Sequence, residues 1–368
     1  MSTNTSGDVT LLDHEIEQLL DAGARAPSGG NIQPWRVRAS PSSLEISLDP
    51  IRSDSFIDVG RYASVLAIGA FAENVSICAH SLGLEFDQTT RNVDSIDKIC
   101  VRFDWTRRIE RQEPHPLMAS IKRRATNRHP HNGEDIPSSI IQDMRSSLAD
   151  LGPSFQLFTV SADPDRNKIA KILARSDRIR LFHRRLHDQM FDEIRWSAES
   201  ARDPGDGVDV RSLELPSPAV FMLKLMRSFT FVQTAVPRFM AEQMSLRPIA
   251  QSGHVCALTM PNPPTRSAMV DAGRAMQRVW LTAEKDGLGV QPWTVFPYLL
   301  LRADAFKGEG LSDEERREIL SLGAEMRHLY QISEALFPCF IFRLSKAKAP
   351  SVESFRIPSK QFSTRVEL

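Results

Sequence analysis

The apolar residues of this chain recur with helical spacing in some stretches and alternate with polar residues in others. The stretch after Leu11 follows helical spacing, and Asp13 stands where a helix N-cap is expected. Gly83 follows a second helical stretch and is expected to end it. The pattern therefore predicts a helix over 11–25, a β-hairpin from Trp35–Ala39 and Leu44–Leu48, a long helix over 61–82 and a strand over 99–103.

Pro114-His115-Pro116 is the first clear break in this pattern. We expect the chain to divide there into a first half, 1–113, and a second half, 114–368. The second half opens on a basic segment, then a helix over 136–151 that starts at Pro137, and a strand over 155–160.

The two halves share a spacing of residues at an offset of 204 positions. Each half has a helix that begins with a small residue, keeps one apolar face and exits through Gly-Leu into a strand. Gly69, Val75, Ala79, Gly83 and Leu84 correspond to Gly273, Val279, Ala283, Gly287 and Leu288. Two amphipathic helices could agree this far by chance, so an internal duplication is an expectation.

The segment 196–251 has no counterpart in the first half. It contains a charged Gly/Pro loop and then a run of Met and Phe at helical spacing, which includes Phe221, Met222, Leu225, Phe239, Met240 and Met244. Such a stripe is typical of core packing. It is also compatible with a lid over a binding site, and the sequence leaves both interpretations open.

Composition excludes several classes of function. Among the 368 residues, 46 Lys and Arg balance 46 Asp and Glu, so the net charge offers no general attraction to nucleic acid or an anionic membrane. No run of 18 apolar residues predicts a membrane span, and residues 1–10 lack the pattern of a signal peptide. We expect a cytoplasmic protein.

Cysteine and histidine predict no metal centre. The four cysteines are far apart among apolar neighbours, which indicates buried thiols. His183 and His187 have i, i+4 spacing, but the segment between them lacks the glutamate of a zinc hydrolase, so surface positions are expected for both.

The stretch 26–35, Ala-Pro-Ser-Gly-Gly-Asn-Ile-Gln-Pro-Trp, is the most unusual part of the chain. Its prolines forbid a regular helix, its glycines allow close approach to the backbone, and its polar side chains offer donors and acceptors in several directions. By composition alone it is an ordinary loop. The run Pro-Ser-x-x-Asn-x-Gln-Pro-Trp, however, resembles the flavin-facing loop of the FMN-dependent nitroreductase superfamily. The resemblance implies that Pro27, Ser28, Gly29, Asn31 and Gln33 contact FMN.

A second motif, Arg124-Ala-Thr-Asn-Arg128, resembles the Arg-x-Ser-x-(Lys/Arg) segment of the same superfamily. A basic cluster is usually a solvated surface, but arginine can also place two hydrogen bonds on a phosphate. The resemblance implies that Arg124 and Thr126 hold the FMN phosphate. It also implies that Arg128 stabilises the negative charge of the reduced flavin as an electrostatic partner.

Two further segments complete the site that the resemblance implies. Gly287–Val295 occupies the place where the family offers a backbone N–H to the flavin, so Thr294 and Val295 are candidates through their main chain. The segment 354–358 resembles a tail that supplies a phosphate cation, with Ser354 and Arg356 as candidates, although a frayed basic terminus is an equal alternative.

The loop lies in the first half and the phosphate motif in the second, so one chain would form one complete flavin site. That arrangement is similar to the Acg-like branch of the superfamily, an internally duplicated, single-chain pseudo-dimer. The resemblance implies an α+β fold with helices around central antiparallel sheets and a monomer, with higher oligomers left open.

The implied function is an oxidoreductase that moves hydride from NAD(P)H through FMN to a nitroaromatic or quinone, with no catalytic side chain and no metal. The alternatives are a protein that only binds or sequesters FMN, and a biosynthetic dehydrogenase or oxidase whose lid defines an apolar substrate.

Overall fold

The computed structural model describes residues 9–110 and 112–366, so most of the N-terminal stretch considered above lies outside the described residues. The helices are α1 Asp13–Ala24, α2 Tyr62–Ser81, α3 Met118–Arg123, α4 Ser138–Ser146, α5 Asp163–Phe182, α6 Arg184–Asp192, α7 Ala198–Arg202, α8 Ser217–Met226, α9 Phe229–Ala235, α10 Arg238–Ala250, α11 Arg266–Lys285, α12 Val295–Asp304, α13 Asp313–Tyr330 and α14 Ser359–Phe362. The strands are β1 Trp35–Ala39, β2 Ser43–Leu48, β3 Leu84–Arg91, β4 Cys100–Arg108, β5 Leu157–Val160, β6 Ile194–Arg195, β7 Val208–Asp209, β8 His254–Pro261, β9 Gly289–Pro292, β10 Leu336–Ser345 and β11 Ser363–Arg365.

The strands form two main sheets with helices around them, so the predicted α+β class is confirmed. The first sheet has the order β11-β1-β2-β4-β3 and the second the order β5-β8-β10-β9. All pairings in them are antiparallel except that of β11, which runs parallel to β1. Because β11 follows β10 of the second sheet, the end of the chain returns to complete the first sheet.

Helices α2 and α11 cross at the centre of the molecule. A Cβ atom placed on Gly69 would lie 2.0 Å from the Val270 carbonyl oxygen, and one on Gly273 would lie 2.1 Å from the Leu66 carbonyl oxygen. The contact is therefore reciprocal, since both pairs of equivalent positions differ by 204. Only glycine allows the two backbones to approach this closely.

Both helices exit as the sequence predicts. Gly83 after α2 and Gly287 after α11 have φ of 70° and 73°, the left-handed conformation of a helix C-cap. The hairpin β1–β2 is also confirmed. The N-cap prediction is wrong, because α1 begins at Asp13 and Leu12 occupies the cap position, where its N–H donates to Glu15 Oε2 at 2.8 Å.

The helix Val59–Ser81, a short turn plus α2, is long and apolar enough to cross a membrane by composition. However, 89% of the apolar stretch within this helix is buried inside the protein, as in the core helix of a globular domain. It packs against α1 and α11, so its apolar character is explained by its place in the core.

The cysteines are free and buried, as predicted, and burial raises the pKa of the Cys78 thiol to about 12. The prediction for His187 is wrong. Its side chain is fully buried, and its Nε2 lies 2.9 Å from the Met226 carbonyl oxygen, where it helps to fasten α8 to α6. Among the described residues, no group of three or more His, Cys, Asp or Glu is placed to bind a metal.

Candidate functional site

The loop between α1 and β1 contains backbone in the left-handed conformation at Gly30, Asn31 and Gln33, with φ of 55°, 56° and 54°. Asparagine tolerates this conformation because its short amide can bond locally. The Ser28 hydroxyl oxygen accepts a 3.0 Å hydrogen bond from the backbone N–H of Gln33, which closes the loop on itself. The loop therefore presents the stretch 27–31 as a folded-back edge above the core.

This edge borders a cavity of about 260 Å³. Its other walls come from α2, the Arg124–Arg128 segment, the residues around β7, α11, the start of α12 and the segment 352–356. Thr126 pairs with Val290 in a parallel β-bridge, so the Arg124–Arg128 segment extends the edge of the second sheet. The cavity therefore lies between elements that are more than 300 positions apart in the sequence.

The cavity wall includes ten of the twelve residues predicted to bind a cofactor. They are Pro27, Ser28, Gly29, Asn31, Arg124, Thr126, Arg128, Thr294, Ser354 and Arg356. The fold thus brings the loop, the basic motif and the tail to one place, as the resemblance implies. Contact of these residues with a cofactor stays a prediction.

Gln33 and Val295 are not part of that wall. Gln33 is fully buried, where its Nε2 donates to the Gly205 carbonyl oxygen at 2.8 Å and its Oε1 accepts from the Ile357 N–H at 2.9 Å. Val295 is the buried first residue of α12. The Gln33 side chain therefore fastens the loop to the segments that enclose the cavity.

Arg124, which is buried, and Arg356, which is half-buried, line the cavity without a counter-charge. No Asp or Glu oxygen lies within 4.0 Å of either guanidinium among the described residues. Burial lowers the pKa of Arg124 to about 9, with a further lowering from Arg356, and burial lowers the pKa of Arg356 to about 10. The buried Nε atoms of both have no hydrogen-bond acceptor. Because these pKa values are still above neutral pH, both guanidinium groups remain positively charged. Their positive charge has no partner in the protein, so the site favours binding of an anion.

The remaining groups of Arg124 fix its direction. One terminal nitrogen donates to the Arg25 carbonyl oxygen at 3.0 Å, and the guanidinium carbon lies 4.6 Å from the centre of the Trp280 ring. Stacking on an aromatic face leaves the edge of a guanidinium open to a further partner. Arg124 is therefore orientated before any ligand arrives.

Arg128 faces the cavity from the other end of its motif. Its Nη1 donates to the Ser212 carbonyl oxygen at 2.9 Å, and burial lowers its pKa to about 10. Arg343 Nη2 donates to the Arg128 carbonyl oxygen at 2.9 Å, which holds the Arg128 backbone. Arg128 likewise has no carboxylate partner among the described residues.

Asn31 joins three segments around the cavity. Its Nδ2 donates to the carbonyl oxygens of Gly207 and Phe355, at 3.1 and 3.2 Å, and its Oδ1 accepts from Arg356 Nη1 at 2.8 Å. The amide orientates Arg356 and ties the loop both to the segment before β7 and to the tail. Its role in this structure is to position the walls of the site.

Several cavity residues escaped the sequence analysis. Glu193 and Arg180 form a 3.2 Å ion pair on the wall, and burial raises the pKa of Glu193. The apolar part of the wall includes Met276, Trp280, Tyr298 and Phe340. These residues occupy ordinary apolar or charged positions in their helices and strands, so the sequence carried no signal of their common site.

Seven cationic side chains and two carboxylates line the cavity. With an aromatic and aliphatic wall beside this charge, the arrangement suits an anion attached to a flat apolar body. FMN has this chemistry, since it joins a phosphate to an aromatic ring system. The residues present therefore fit the cofactor that the motifs imply.

No known family model matches the chain. It is 32% identical over 353 residues to the uncharacterized protein MT1398 of Mycobacterium tuberculosis (strain CDC 1551 / Oshkosh), an alignment that covers 92% of this chain and 47% of that protein. The chain thus spans about half the length of this curated relative.

Solved structures similar to this one include nitroreductases. One, with bound FMN, is from Desulfitobacterium hafniense DCB-2, at 12% identity over 68% of this chain and 98% of that chain, with a TM-score of 0.38. Another is the FMN and NADPH-dependent nitroreductase NfnB from sphigopyxis sp. strain HMH, at 12% identity over 67% and 96% of the two chains, with a TM-score of 0.37. TM-scores of this size do not establish a common fold or activity, so the site itself carries the functional inference.

Proposed function

We propose that the chain binds FMN in the cavity between its loop 27–31 and its Arg124–Arg128 segment. The observation that carries the proposal is a pair of arginines, the buried Arg124 and the half-buried Arg356, which line one cavity without a carboxylate partner. A phosphate would supply the missing negative charge and accept charge-assisted hydrogen bonds from both. Thr126 and Ser354 would add hydroxyl donors, and the apolar part of the cavity wall would face the ring system of the ligand.

We further propose that the protein is an oxidoreductase of the nitroreductase type. The chemistry that FMN supplies when bound is transfer of hydride from NAD(P)H to an electron-poor acceptor such as a nitroaromatic or a quinone. The contribution of this chain would be to bind and orientate the cofactor through Ser28, Asn31 and Arg124. Arg128 would stabilise negative charge on its reduced form. No side chain need donate a proton, because water can do so.

The site would be complete within one chain. The loop lies in the first half, the basic motif in the second, and α2 crosses α11 through equivalent glycines. A reciprocal crossing is the geometry of an isologous contact between two copies, which supports an internal duplication. The chain would then act as a pseudo-dimer, and a monomer would bind one FMN.

Anaerobic stopped-flow absorbance of the FMN-loaded protein tests the oxidoreductase proposal. Rapid bleaching of the visible flavin band by NADH or NADPH is the expected result, followed by reoxidation with a quinone or nitroaromatic. A protein that never takes up FMN would contradict the binding proposal. FMN that binds but stays oxidised with both nicotinamides would contradict the hydride reaction alone.

One observation favours the second candidate, a protein that binds FMN without turning it over. The loop before β7, β7 itself and the turn after it lie in the segment that has no counterpart in the first half, and they supply Gly207, Val208 and Ser212, respectively, to the cavity wall. This loop is fastened by Asn31 and Gln33. A wall held in this way could exclude a nicotinamide. Rapid reduction in the stopped-flow experiment would exclude this candidate.

A further inference from the structure

Large exposed apolar side chains are concentrated in one stretch of the chain. Seven of the eleven among the described residues lie between positions 215 and 244, and Phe221 and Phe239 are 64% and 66% exposed. Single exposed apolar residues are common on protein surfaces, but helical spacing places Phe221, Met222 and Leu225 on one side of α8 and places Met240 and Met244 on one side of α10. We call the side chains of Phe221, Met222, Leu225, Phe239, Met240 and Met244 the exposed apolar face.

Neither earlier interpretation of this Met/Phe stripe describes these six residues. They are not part of a core, because they are exposed, and they do not line the cavity. Helices α8, α9 and α10 are held instead through Met226, Val232 and Ala241, which belong to a small apolar cluster separate from the main core, and α10 also joins the main core through Ile249. The helices are thus anchored on one side while α8 and α10 leave their apolar residues in solvent.

The exposed charged side chains of α8, α10 and the residues between them are all positive. Lys224, Arg227, Arg238 and Arg247 are exposed, and no carboxylate oxygen lies within 4.0 Å of any of them among the described residues. The acid of this stretch, Glu242, is paired with Arg178 at 3.0 Å. The balanced charge of the whole chain therefore conceals a local excess of positive charge at the exposed apolar face.

We propose that α8 and α10 dock the protein on the surface of a lipid bilayer that contains anionic lipid. Exposed Phe, Leu and Met between unpaired Lys and Arg are the composition of helices that lie in a membrane interface. The apolar side chains would enter the boundary of the acyl chains while the cations contact the lipid phosphates. A second copy of this chain is a poorer occupant, because a symmetric contact would bring like charges together.

Vesicle flotation tests this inference with the full chain. Wild type should float with phosphatidylcholine vesicles that contain about 30% phosphatidylglycerol, and its binding should fall roughly tenfold between about 0.05 and 0.5 M salt. Binding to pure phosphatidylcholine should be much weaker. Absence of flotation with the anionic vesicles would overturn the proposal.

Two double variants separate the apolar and electrostatic parts. Phe221→Ser/Phe239→Ser and Lys224→Glu/Arg227→Glu should each reduce binding to anionic vesicles roughly tenfold or more. The single variants Ile51→Ser and Arg107→Glu introduce the same new side chains at exposed positions in the first half and should bind as wild type does. Equal binding of both double variants and wild type would overturn the proposal, as would loss of binding in the controls.

Size-exclusion chromatography without lipid examines the other occupants. We expect the same elution volume for wild type and Phe221→Ser/Phe239→Ser. A wild-type oligomer that dissociates in this variant would assign the face to a second copy. Since the substitutions change exposed side chains, thermal unfolding should show that every variant remains folded.

Discussion

Arg124 illustrates how one residue can oppose the stability of the free protein and serve its binding site. Its guanidinium has lost most of its contact with water, yet its described protein partners are a carbonyl oxygen and the face of Trp280. A buried charge without a counter-charge is unfavourable. The unfavourable electrostatics of the free protein should therefore become affinity when an anion binds.

Arg124→Met should separate these two effects. We expect affinity for FMN to fall by roughly 2–4 kcal/mol, because the phosphate loses a charged donor pair. The unfolding free energy of the ligand-free variant should fall little, because an unpaired charge is removed. Flavin-fluorescence titration and urea unfolding measure the two quantities. Arg107→Met, at an exposed position on β4, is the control, and unchanged FMN affinity in Arg124→Met would remove Arg124 from the site.

The neighbouring glycines of the loop offer a second pair of variants. Gly30 has φ of 55°, and an added Cβ would lie 2.6 Å from the Glu193 side chain, whereas a Cβ on Gly29 would meet no atom within 4 Å. Gly30→Ala should destabilise the protein by roughly 1–2 kcal/mol, because the methyl group strains this conformation. Gly29→Ala should keep its thermal unfolding temperature. Equal unfolding temperatures for the two variants would contradict this assignment.

At the scale of single residues, the sequence indicated which segments would meet at the cavity but not which way each side chain would point. The resemblance selected Asn31 and Gln33 together, but only Asn31 lies in the cavity wall. Gln33, two positions later in the loop, points its amide into the protein, where its Oε1 accepts from the Ile357 N–H. Glu193 and Arg180 were not predicted because their pairing is created by the packing of α5 against the end of α6. The local sequence around either residue does not indicate this tertiary contact.

Among the elements, the crossing of α2 and α11 is the most demanding contact. A Cβ atom added at Gly69 or at Gly273 would lie 2.0 or 2.1 Å from a carbonyl oxygen of the opposite helix, which is a severe steric clash. Beside the crossing, Gln277 Nε2 donates to Asn74 Oδ1 at 2.7 Å and Arg278 pairs with Glu73 at 2.6 Å. The helices cannot separate without breaking these buried polar contacts.

Gly69→Ala and Gly273→Ala should be destabilising to a similar extent, by roughly 3 kcal/mol each, because both force the same two backbones apart. The double variant should lose less unfolding free energy than the sum of the two single losses, because the first substitution already separates the two backbones. Urea unfolding of the three proteins measures this. Simple additivity would indicate that the two glycines do not share one contact.

Asp58 caps the first turn of α2, and its contribution to stability depends on pH. Its carboxylate accepts from the N–H groups of Ala63 and Ser64 at 2.6 and 3.0 Å and from the Ser64 hydroxyl at 2.6 Å. Burial outweighs these bonds and raises the pKa of Asp58 to about 6, above its value in the unfolded chain. The folded state therefore holds this proton more tightly, and the stability that Asp58 contributes falls as the pH rises from about 4 to 6.

The unfolding free energy of wild type minus that of Asp58→Asn should fall by about 3 kcal/mol between pH 4 and 7 and then level off. Urea unfolding over this pH range gives the difference. Asp54→Asn, which removes an exposed carboxylate nearby, controls for general charge effects. A difference that rises with pH would show that the hydrogen bonds to the carboxylate outweigh its burial.

Regular elements were predictable where one face is apolar, as in α1 and β1. Their ends were less so. The strand predicted over 99–103 extends to Arg108, because its polar outer half pairs with β3, and the helix predicted over 136–151 ends at Ser146. The apolar stripe of α8 and α10 shows a further limit, since the same periodicity describes a buried face and a face left for another surface.

For the whole molecule, the arrangement of the cavity predicts its stoichiometry. The basic motif and the loop each occur once, so calorimetric titration should give one FMN per chain, and sedimentation should show binding to a monomer. A value of two per chain would require a second site between the halves, and one FMN per two chains would require a shared one. Arg124→Met should lower the affinity without changing a stoichiometry of one.

The return of the chain to its first sheet has a consequence for biosynthesis. Arg356 contacts Asn31 across 325 positions, and β11 closes the sheet that β1 began. At translation rates of about 5–20 residues per second, roughly 16–65 s separate the synthesis of these partners. During synthesis the loop therefore lacks these partners until the segment from Arg356 to β11 has been made, so cofactor capture would follow the synthesis of that segment.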